Sequence, residues 1–414
     1  MAQPISIEAA FAILLREAGE SERVEAALAF ALGHALAEPV CADRDLPPFD
    51  QARMDGFAVR SADVQTPPAE LRVIEHVPAG RAPTKSVGPG EAIRIMTGAP
   101  VPAGADAVVM LEQTEPLPAG AAGTADRGQE RVRVGRSLRA ESNIARRGSD
   151  VKQGQEVLPV GARIGPAEVG VLAAIGITDV PVRRKPRLAI LGTGDELVDP
   201  GVTPKSAQIR NSNSYQLLAQ AAAHGLEALY LGIAPDDPAA TRRLIERGLD
   251  EDVLITTGGI SAGDHDYVGS AFKALNVELF FTAIHVKPGK PTTFGKRGQT
   301  LVFGLPGNPV AALVCFHLFV MTALRQRMGF ADPLPRKLRL ALCGNAPRAG
   351  DRPTFRPAQL VAEEGATTRV KALEWHGSGD LAACAGADGF MLQAPGAALA
   401  DGQAVDFYPL PAVL

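Results

Sequence analysis

Between residues 187 and 329 short apolar runs alternate with helical stretches, and this alternation leaves few folds open. The runs cover residues 188–191, 228–233, 253–257, 280–286 and 301–305. Helical spacing is read over 215–224, 239–248 and near 267–275, and a long apolar helix over 310–328. Strands alternating with helices of about 10–15 residues predict a parallel, doubly wound sheet. Ligands of such sheets bind beyond the carboxyl ends of the strands, at the switch point.

The rest of the chain has a different texture. At 414 residues it exceeds what one hydrophobic core usually serves, so several domains are expected. Phe11, Leu14, Leu15 and Ala18 recur at helical spacing, as do Val24, Leu28, Leu32 and Leu36, predicting two helices separated at Gly19. Residues 45–139 are rich in Pro and Gly, with strands expected at 71–73, 92–96 and 107–111 and a loop or hairpin tip at 116–131. Turns at Gly154 and Gly161 and a helix over 167–174 mark a linking region. Residues 335–414 lack a helical pattern, and 338–342, 367–373, 389–393 and 404–408 read as strands of a small β domain. The expected domains are 1–44 with 140–182 (helical and linking), 45–139 (β-rich), 183–329 (α/β) and 330–414 (C-terminal β).

Composition excludes several classes. A formal charge of -4 argues against a nucleic-acid-binding protein. No run approaches the ~18 consecutive apolar residues of a membrane span. Met1-Ala2-Gln3-Pro4 is not the basic opening of a secretory signal. Cys41, Cys315, Cys343 and Cys384 lie far apart without a C-x-x-C pair, which fits free thiols in a reducing compartment. A cytoplasmic location is expected.

Three strand-end loops carry the chemistry. They are Gly192-Thr193-Gly194-Asp195-Glu196, then Thr257-Gly258-Gly259-Ile260-Ser261-Ala262-Gly263-Asp264-His265-Asp266, and Leu305-Pro306-Gly307-Asn308-Pro309. Glycines there can serve a tight turn alone. Three such loops on one sheet instead predict backbone N–H groups approaching a phosphate, with the Ser261 hydroxyl near a helix N-terminus. The Gly192 loop is not G-x-G-x-x-G, and there is no Walker A or H-E-x-x-H sequence, which sets aside dinucleotide, P-loop and zinc-peptidase readings. Lys287-Pro288-Gly289-Lys290-Pro291 sets two cations on a proline-stiffened turn, which suits a polyanion. Carboxylates at Asp55, Glu196, Asp236, Asp237 and Asp266 beside such lysines fit a Mg²⁺ ion, which takes one or two carboxylates plus phosphate oxygens. One of Asp236 and Asp237 is also expected to cap the following helix. His265 and His285 lie in or beside the loops.

These residues resemble the MoeA/gephyrin family. The resemblance rests on Asp45-Leu46-Pro47-Pro48-Phe49-Asp50 with Met54-Asp55-Gly56-Phe57-Ala58-Val59, on Arg94-Ile95-Met96-Thr97-Gly98-Ala99-Pro100, on Gly104-Ala105-Asp106-Ala107-Val108, and on the strand-end and lysine loops above, in order along nearly the whole chain. It implies a mixed α/β multidomain fold: a doubly wound α/β (MogA-like) domain with helical/linking, β-rich and C-terminal small β-barrel domains. It implies molybdate insertion into adenylylated molybdopterin with release of AMP, aided by Mg²⁺. An elongated homodimer is implied, its cleft formed between the α/β domain of one subunit and the second domain of the other, with molybdopterin-synthesis proteins and molybdoenzymes as partners. By matching motifs, Asp55, Thr97, Asp150, Glu196, Asp236, Asp266 and Lys287 are the implied catalytic set. Glu196, Asp236 and Asp266 would hold the metal. Gly192, Thr193, Gly194, Gly258, Gly259, Ser261, Lys290, Pro306, Pro309, Arg352 and Ser378 would bind molybdopterin or molybdate. Ala283 stands where the family often has Lys or Arg, Ala311 where serine is common, and Phe57 where Tyr is common. A non-catalytic molybdopterin carrier and a molybdopterin adenylyltransferase are the alternatives.

Overall fold

The structure is a computed structural model and describes residues 3–117, 130–259, 267–362 and 367–411. The chain forms two compact units, Met1–Glu38 with Val160–Gly170 and Thr178–Leu414, and Pro39–Pro159 with Val171–Ile177.

The first unit is built on a six-stranded sheet of β1 (Leu188–Thr193), β2 (Ala228–Ala234), β3 (Val253–Thr257), β4 (Glu278–Phe281), β5 (Thr293–Arg297) and β6 (Thr300–Leu305). The strand order is β2-β1-β3-β6-β5-β4. β2, β1, β3 and β6 run parallel, as the alternation predicts. β5 is antiparallel to β6 and β4 to β5, so the sheet is mixed rather than wholly parallel. The cause is local: Arg297 pairs with Thr300 across Gly298-Gln299, and a two-residue turn can join only antiparallel neighbours. The apolar run at 280–286 correspondingly leaves the strand after Phe281.

Both faces of the sheet are buried, which explains why its strands read as continuous apolar runs. Leu188, Ile190, Val253, Ile255 and Phe303 pack on one side with Leu217 of the helix Ser212–Ala223 and with Val310–Leu324 side chains. Ala189, Leu191, Leu254 and Val302 pack on the other with Ile245, Val268 and Phe272. The stretch Pro309–Arg327 is continuous helix with a π turn at Phe316–Val320. Its length and hydropathy match a membrane span, but 78% of its most apolar window is buried inside the fold, which makes it a core helix.

The first predicted helix forms as Ile7–Ala18, with Ser6 Oγ accepting from Ala9 N–H at 3.1 Å as N-cap. The second does not form. Arg23–Ala27 is a strand paired antiparallel with Asp179–Arg183, followed by a short 3₁₀ turn at Leu28–Phe30. The four-residue spacing of Val24, Leu28, Leu32 and Leu36 is misleading because no apolar face follows from it: Leu32 is 56% exposed and Leu36 1%.

The C-terminal strands are ordered Leu338–Ala341, Ala404–Pro409, Gly389–Gln393, Thr354–Val361 and Arg369–Ala372, all antiparallel. A bridge between Leu342 and Val370 joins the two edges, rolling the sheet into a small barrel around Met391, Val405 and Phe407. Thr354–Val361 is absent from the expected strands. Pro357 within it cannot donate to a ladder and argues against a strand on sequence alone.

The second unit contains another six-stranded sheet, ordered Ala107–Met110, Gly56–Val59, Glu91–Ile95, Ala69–Val77, Arg131–Val134 and Thr114–Leu117. Gly56–Val59 is buried throughout, with Phe57 and Val59 facing one core and Ala58 the other. Most of the expected 116–131 loop lies outside the described residues.

Candidate functional site

The carboxyl ends of β1, β3 and β6 are tied into one platform. Gly258 and Gly259, directly after β3, have φ of 91° and 64°, a region that disfavours any side chain. A Cβ on Gly258 would sit 2.8 Å from Thr193 O, and one on Gly259 2.7 Å from Thr193 Oγ1. The glycines thus let the β1 and β3 loops close on each other. Gly258 N–H donates to Leu305 O at 3.1 Å, and Thr257 Oγ1 donates to Pro306 O at 3.2 Å, which fixes the β6 loop to the β3 loop. Gly192 is a packing glycine, because a Cβ there would lie 3.0 Å from Asn211 Nδ2.

Sequence reasoning missed two residues in this platform. Asn213 is buried and donates through Nδ2 to Thr257 Oγ1 (2.9 Å) and Gly307 O (2.8 Å), locking helix Ser212–Ala223 to two loops. Asn211 caps that helix by accepting from Ser214 N–H at 3.1 Å and donates to Tyr230 Oη at 2.9 Å. The run Asn211-Ser212-Asn213-Ser214 is a helix-start signal that could have exposed both.

The acidic residues lie at neighbouring strand ends. Gly194 N–H donates to Ala234 O and Asp236 N–H to Asp195 Oδ1, both at 3.0 Å, so the loops bearing Glu196 and Asp236 are held side by side. Asp237, not Asp236, is the helix cap, accepting from Ala240 N–H at 2.7 Å. Asp236 and Glu196 are both exposed. Asp266, Ser261 and His265 lie outside the described residues. Among the described residues no group of three His, Cys, Asp or Glu side chains could hold a metal. Two adjacent carboxylate-bearing loops nevertheless suit Mg²⁺, which can draw its other ligands from phosphate and water.

Lys287 is placed through its backbone. Its N–H donates to Pro353 O and its carbonyl accepts from Phe355 N–H, both at 2.8 Å, so the lysine loop is stitched onto a barrel strand. Arg352 Nη1 donates to Val286 O at 3.0 Å, and Val310 N–H donates to Ser378 O at 3.0 Å. Arg352 is thereby held beside the Lys287 loop and Ser378 beside the β6 loop, although both come from a different domain. The Lys287 ammonium lies 5.9 Å from the centroid of Trp375, whose ring also faces the Arg356 guanidinium at 5.6 Å. Beneath the loop, Gly289 has φ of 113° and packs on Cys315, and Thr292 Oγ1 donates to Gly289 O at 2.6 Å. Burial pushes the Cys315 thiol up to about 12, so it is inert filling. Lys290 is exposed, and its carbonyl accepts from Ile284 N–H at 2.9 Å. His285 is exposed and Ala311 is buried in its helix.

The remaining predicted residues belong to the second unit. Asp55 precedes the buried strand Gly56–Val59, and its Oδ1 accepts from both Thr97 N–H and Thr97 Oγ1–H at 2.7 Å. The Thr97 backbone N–H, then its hydroxyl, hold the Asp55 carboxyl below the usual carboxylate range. Asp150 is exposed, accepts from Ser149 Oγ at 3.0 Å, and donates its N–H to Leu46 O.

Family profiles match along the chain in this same order. The MoeA N-terminal region (domain I and II) matches residues 5–176, a probable molybdopterin binding domain matches 189–326, and the MoeA C-terminal region (domain IV) matches 340–410. The molybdopterin molybdenumtransferase of Staphylococcus aureus is 34% identical over 370 residues, covering 88% of this chain and 86% of its own. That of Bacillus subtilis is 35% identical over 370 residues, covering 88% and 81%. The crystal structure of the molybdopterin biosynthesis moeA protein from Pyrococcus horikoshii OT3 superimposes with a TM-score of 0.79 at 29% identity, over 98% of this chain and all of that one. In motif order, domain content and similarity over most of its length, this chain belongs to the MoeA family of molybdopterin molybdenumtransferases.

Proposed function

We propose that this protein inserts molybdate into adenylylated molybdopterin and releases AMP, as the last step in making the molybdenum cofactor. The observation that carries the reading is the joining of the β1, β3 and β6 loops at one end of the sheet, with the helix that follows β6 packed through Cys315 under the Lys287 loop, within a chain similar over most of its length to named molybdopterin molybdenumtransferases. Backbone N–H groups and Asn213-braced loops suit a phosphorylated pterin. Lys287 and Lys290 offset the repulsion between two anionic substrates. Glu196 and Asp236, with Asp266 from outside the described residues, would hold Mg²⁺, which supplies charge neutralisation at phosphate oxygens. Asp55, ionised and fixed by Thr97, would orient a polar group of the substrate rather than exchange a proton at neutral pH.

The test is molybdate-dependent AMP release from purified adenylylated molybdopterin with Mg²⁺ present. Release, with active cofactor passed to an apo-molybdoenzyme, supports the transferase. Tight pterin binding without release would instead make the chain a carrier, the reading that Ala283 and Ala311 favour. Incorporation of AMP from ATP would make it an adenylyltransferase. Homodimeric assembly is part of the proposal, supported by the 78% exposure of Phe30 and 56% exposure of Leu32, and light scattering of the purified protein tests it.

A further inference from the structure

A second concentration of positive charge lies in the first unit, built from elements the proposed chemistry does not use. Residues 33–36 are laced to 162–164 and to Arg183: Gly33 N–H donates to Ile164 O at 2.8 Å, Ile164 N–H to His34 O at 2.9 Å, and Arg183 N–H to Ala35 O at 3.2 Å. Ala35 bridges Arg163. His34, Arg163 and Lys185 are thereby brought onto adjoining segments, and the His34 ring meets Arg183 O at 3.1 Å. The Lys185 ammonium reaches towards the end of helix Ser212–Ala223, where a Cβ on Gly225 would lie 3.3 Å from it, beside the capping residue His224. Ala331 N–H donates to Gly161 O at 3.0 Å, which draws the Arg163 segment against the end of the helix bearing Arg325.

The groups act on one another electrostatically. Burial and then the Arg325 and Arg163 charges push His224 down to about 4, and Arg163 depresses Lys185 after burial. Arg325 is itself lowered by burial and by Arg163, with only Asp332 opposing. At the floor, His317 is 3% exposed, and neither ring nitrogen has a hydrogen-bond partner among the described residues. It lies within electrostatic reach of Arg325 and His224. Arg163 and Asp332 are exposed, Lys185, Arg325 and His224 half-buried, and His317 buried, a gradient from rim to floor.

A solvated surface patch would not bury its cations or leave an imidazole unsatisfied. Unpaired buried polar groups and charges are unfavourable unless a partner compensates them. Among the described residues, the basic side chains of Arg163, Lys185 and Arg325 act on this cluster against the carboxylate of Asp332, an excess of positive charge that suits an anion. We propose that Arg163, Lys185, Arg325, His224 and His317 form a binding site for a phosphate-class oxyanion, separate from the strand-end platform. The cations supply charge and fork-like donors, and His317 supplies a ring N–H from below.

The test is calorimetric titration of the full-length protein with inorganic phosphate, and with AMP to learn whether the phosphoryl group is free or carried on a nucleotide. Saturable binding of one phosphate per chain is expected. Lys185→Met and Arg163→Gln should each weaken it about tenfold or more, whereas Lys273→Met, an exposed lysine on the helix Tyr267–Ala274 outside both sites, should leave it unchanged. Arg163 is exposed, so its variant should stay folded, and circular dichroism checks both. Stronger AMP binding lost in the same two variants assigns the ligand to the nucleotide-borne class. The proposal is overturned if phosphate does not saturate, or if Lys287→Met removes the binding and Arg163→Gln does not.

Discussion

Asp55 and Lys287 are held in opposite ways. The Asp55 carboxylate is fixed by two 2.7 Å hydrogen bonds from Thr97, next to a strand buried on both faces. Lys287 is fixed by its backbone, and its ammonium lies 5.9 Å from the centroid of the Trp375 ring. One is a charge of set position, the other a cation on a four-carbon tether whose anchor alone is rigid. A fixed anion orients, while a tethered cation can follow charge as it develops in a reaction.

The comparison predicts unequal tolerance, and the largest effect tests it most directly. Lys287→Met should lower kcat/KM by about 10²–10³-fold, the usual scale for losing one electrostatic stabiliser. Lys287→Arg should recover most of that, because a tethered charge adapts. Asp55→Glu should fail as badly as Asp55→Asn, because the longer side chain carries its oxygen out of reach of Thr97. AMP-release kinetics on the four variants decide it. Recovery by Asp55→Glu but not by Lys287→Arg would reverse the assignment.

The next effect concerns the rigid anchor. Gly289 sits in the left-handed region, and a Cβ there would overlap the Cys315 sulfur. Gly289→Ala should destabilise the first unit by about 1–3 kcal/mol, combining backbone strain with overpacking. A paired Gly289→Ala/Cys315→Ala change should recover the overpacking share and leave the strain. Thermal unfolding of the two variants separates the terms, and equal melting temperatures would mean that crowding against Cys315 is not the cause.

The two regions also differ in how far the sequence discloses them. Lys287-Pro288-Gly289-Lys290-Pro291 and Thr257-Gly258-Gly259 stand out because left-handed turns and paired cations demand particular residue types. Asp55 and Thr97 lie 42 residues apart, and only the family resemblance links them, since a side-chain hydrogen bond across strands leaves no local periodicity. Asn213 escaped notice because its role is to brace loops whose proximity appears only in three dimensions. The same holds for the barrel strand Thr354–Val361, where Pro357 contradicts the local signal and tertiary pairing prevails. The strand at Arg23–Ala27 is masked in the sequence because four-residue spacing can arise without a common buried face. The four parallel strands follow from the alternation, whereas the antiparallel edge pair is hidden because the short β5–β6 turn lies inside an otherwise regular pattern.

Thr97 offers a smaller, graded perturbation. Thr97→Val removes the hydroxyl donor to Asp55 but keeps the backbone N–H, the larger of the two causes that lower its titration. A carboxyl with a depressed folded pKa contributes stability above its unfolded value and loses it as pH falls through the folded one. Thr97→Val should therefore move the Asp55 titration upward, still below neutrality. Activity at pH 7 should fall less than about tenfold, through looser orientation, and the acid limb of the rate profile should shift to higher pH. An unmoved acid limb would mean that Asp55 does not govern it.

The smallest effect isolates the aromatic guide of the tethered cation. Lys287 and Arg356 both lie over the Trp375 ring, and removing the ring frees both cations without touching the backbone bonds that anchor the Lys287 loop. A partly exposed cation–π contact contributes about 0.5–1 kcal/mol, or a few-fold in a rate or binding constant. Trp375→Ala should raise KM a few-fold and leave kcat nearly unchanged, whereas Trp375→Phe should restore most of the loss, because a smaller ring keeps the same face. If kcat falls as far as in Lys287→Met, the ring fixes the ammonium rather than merely guiding it. Lys287 would then be as rigidly placed as Asp55, and the contrast between them would disappear.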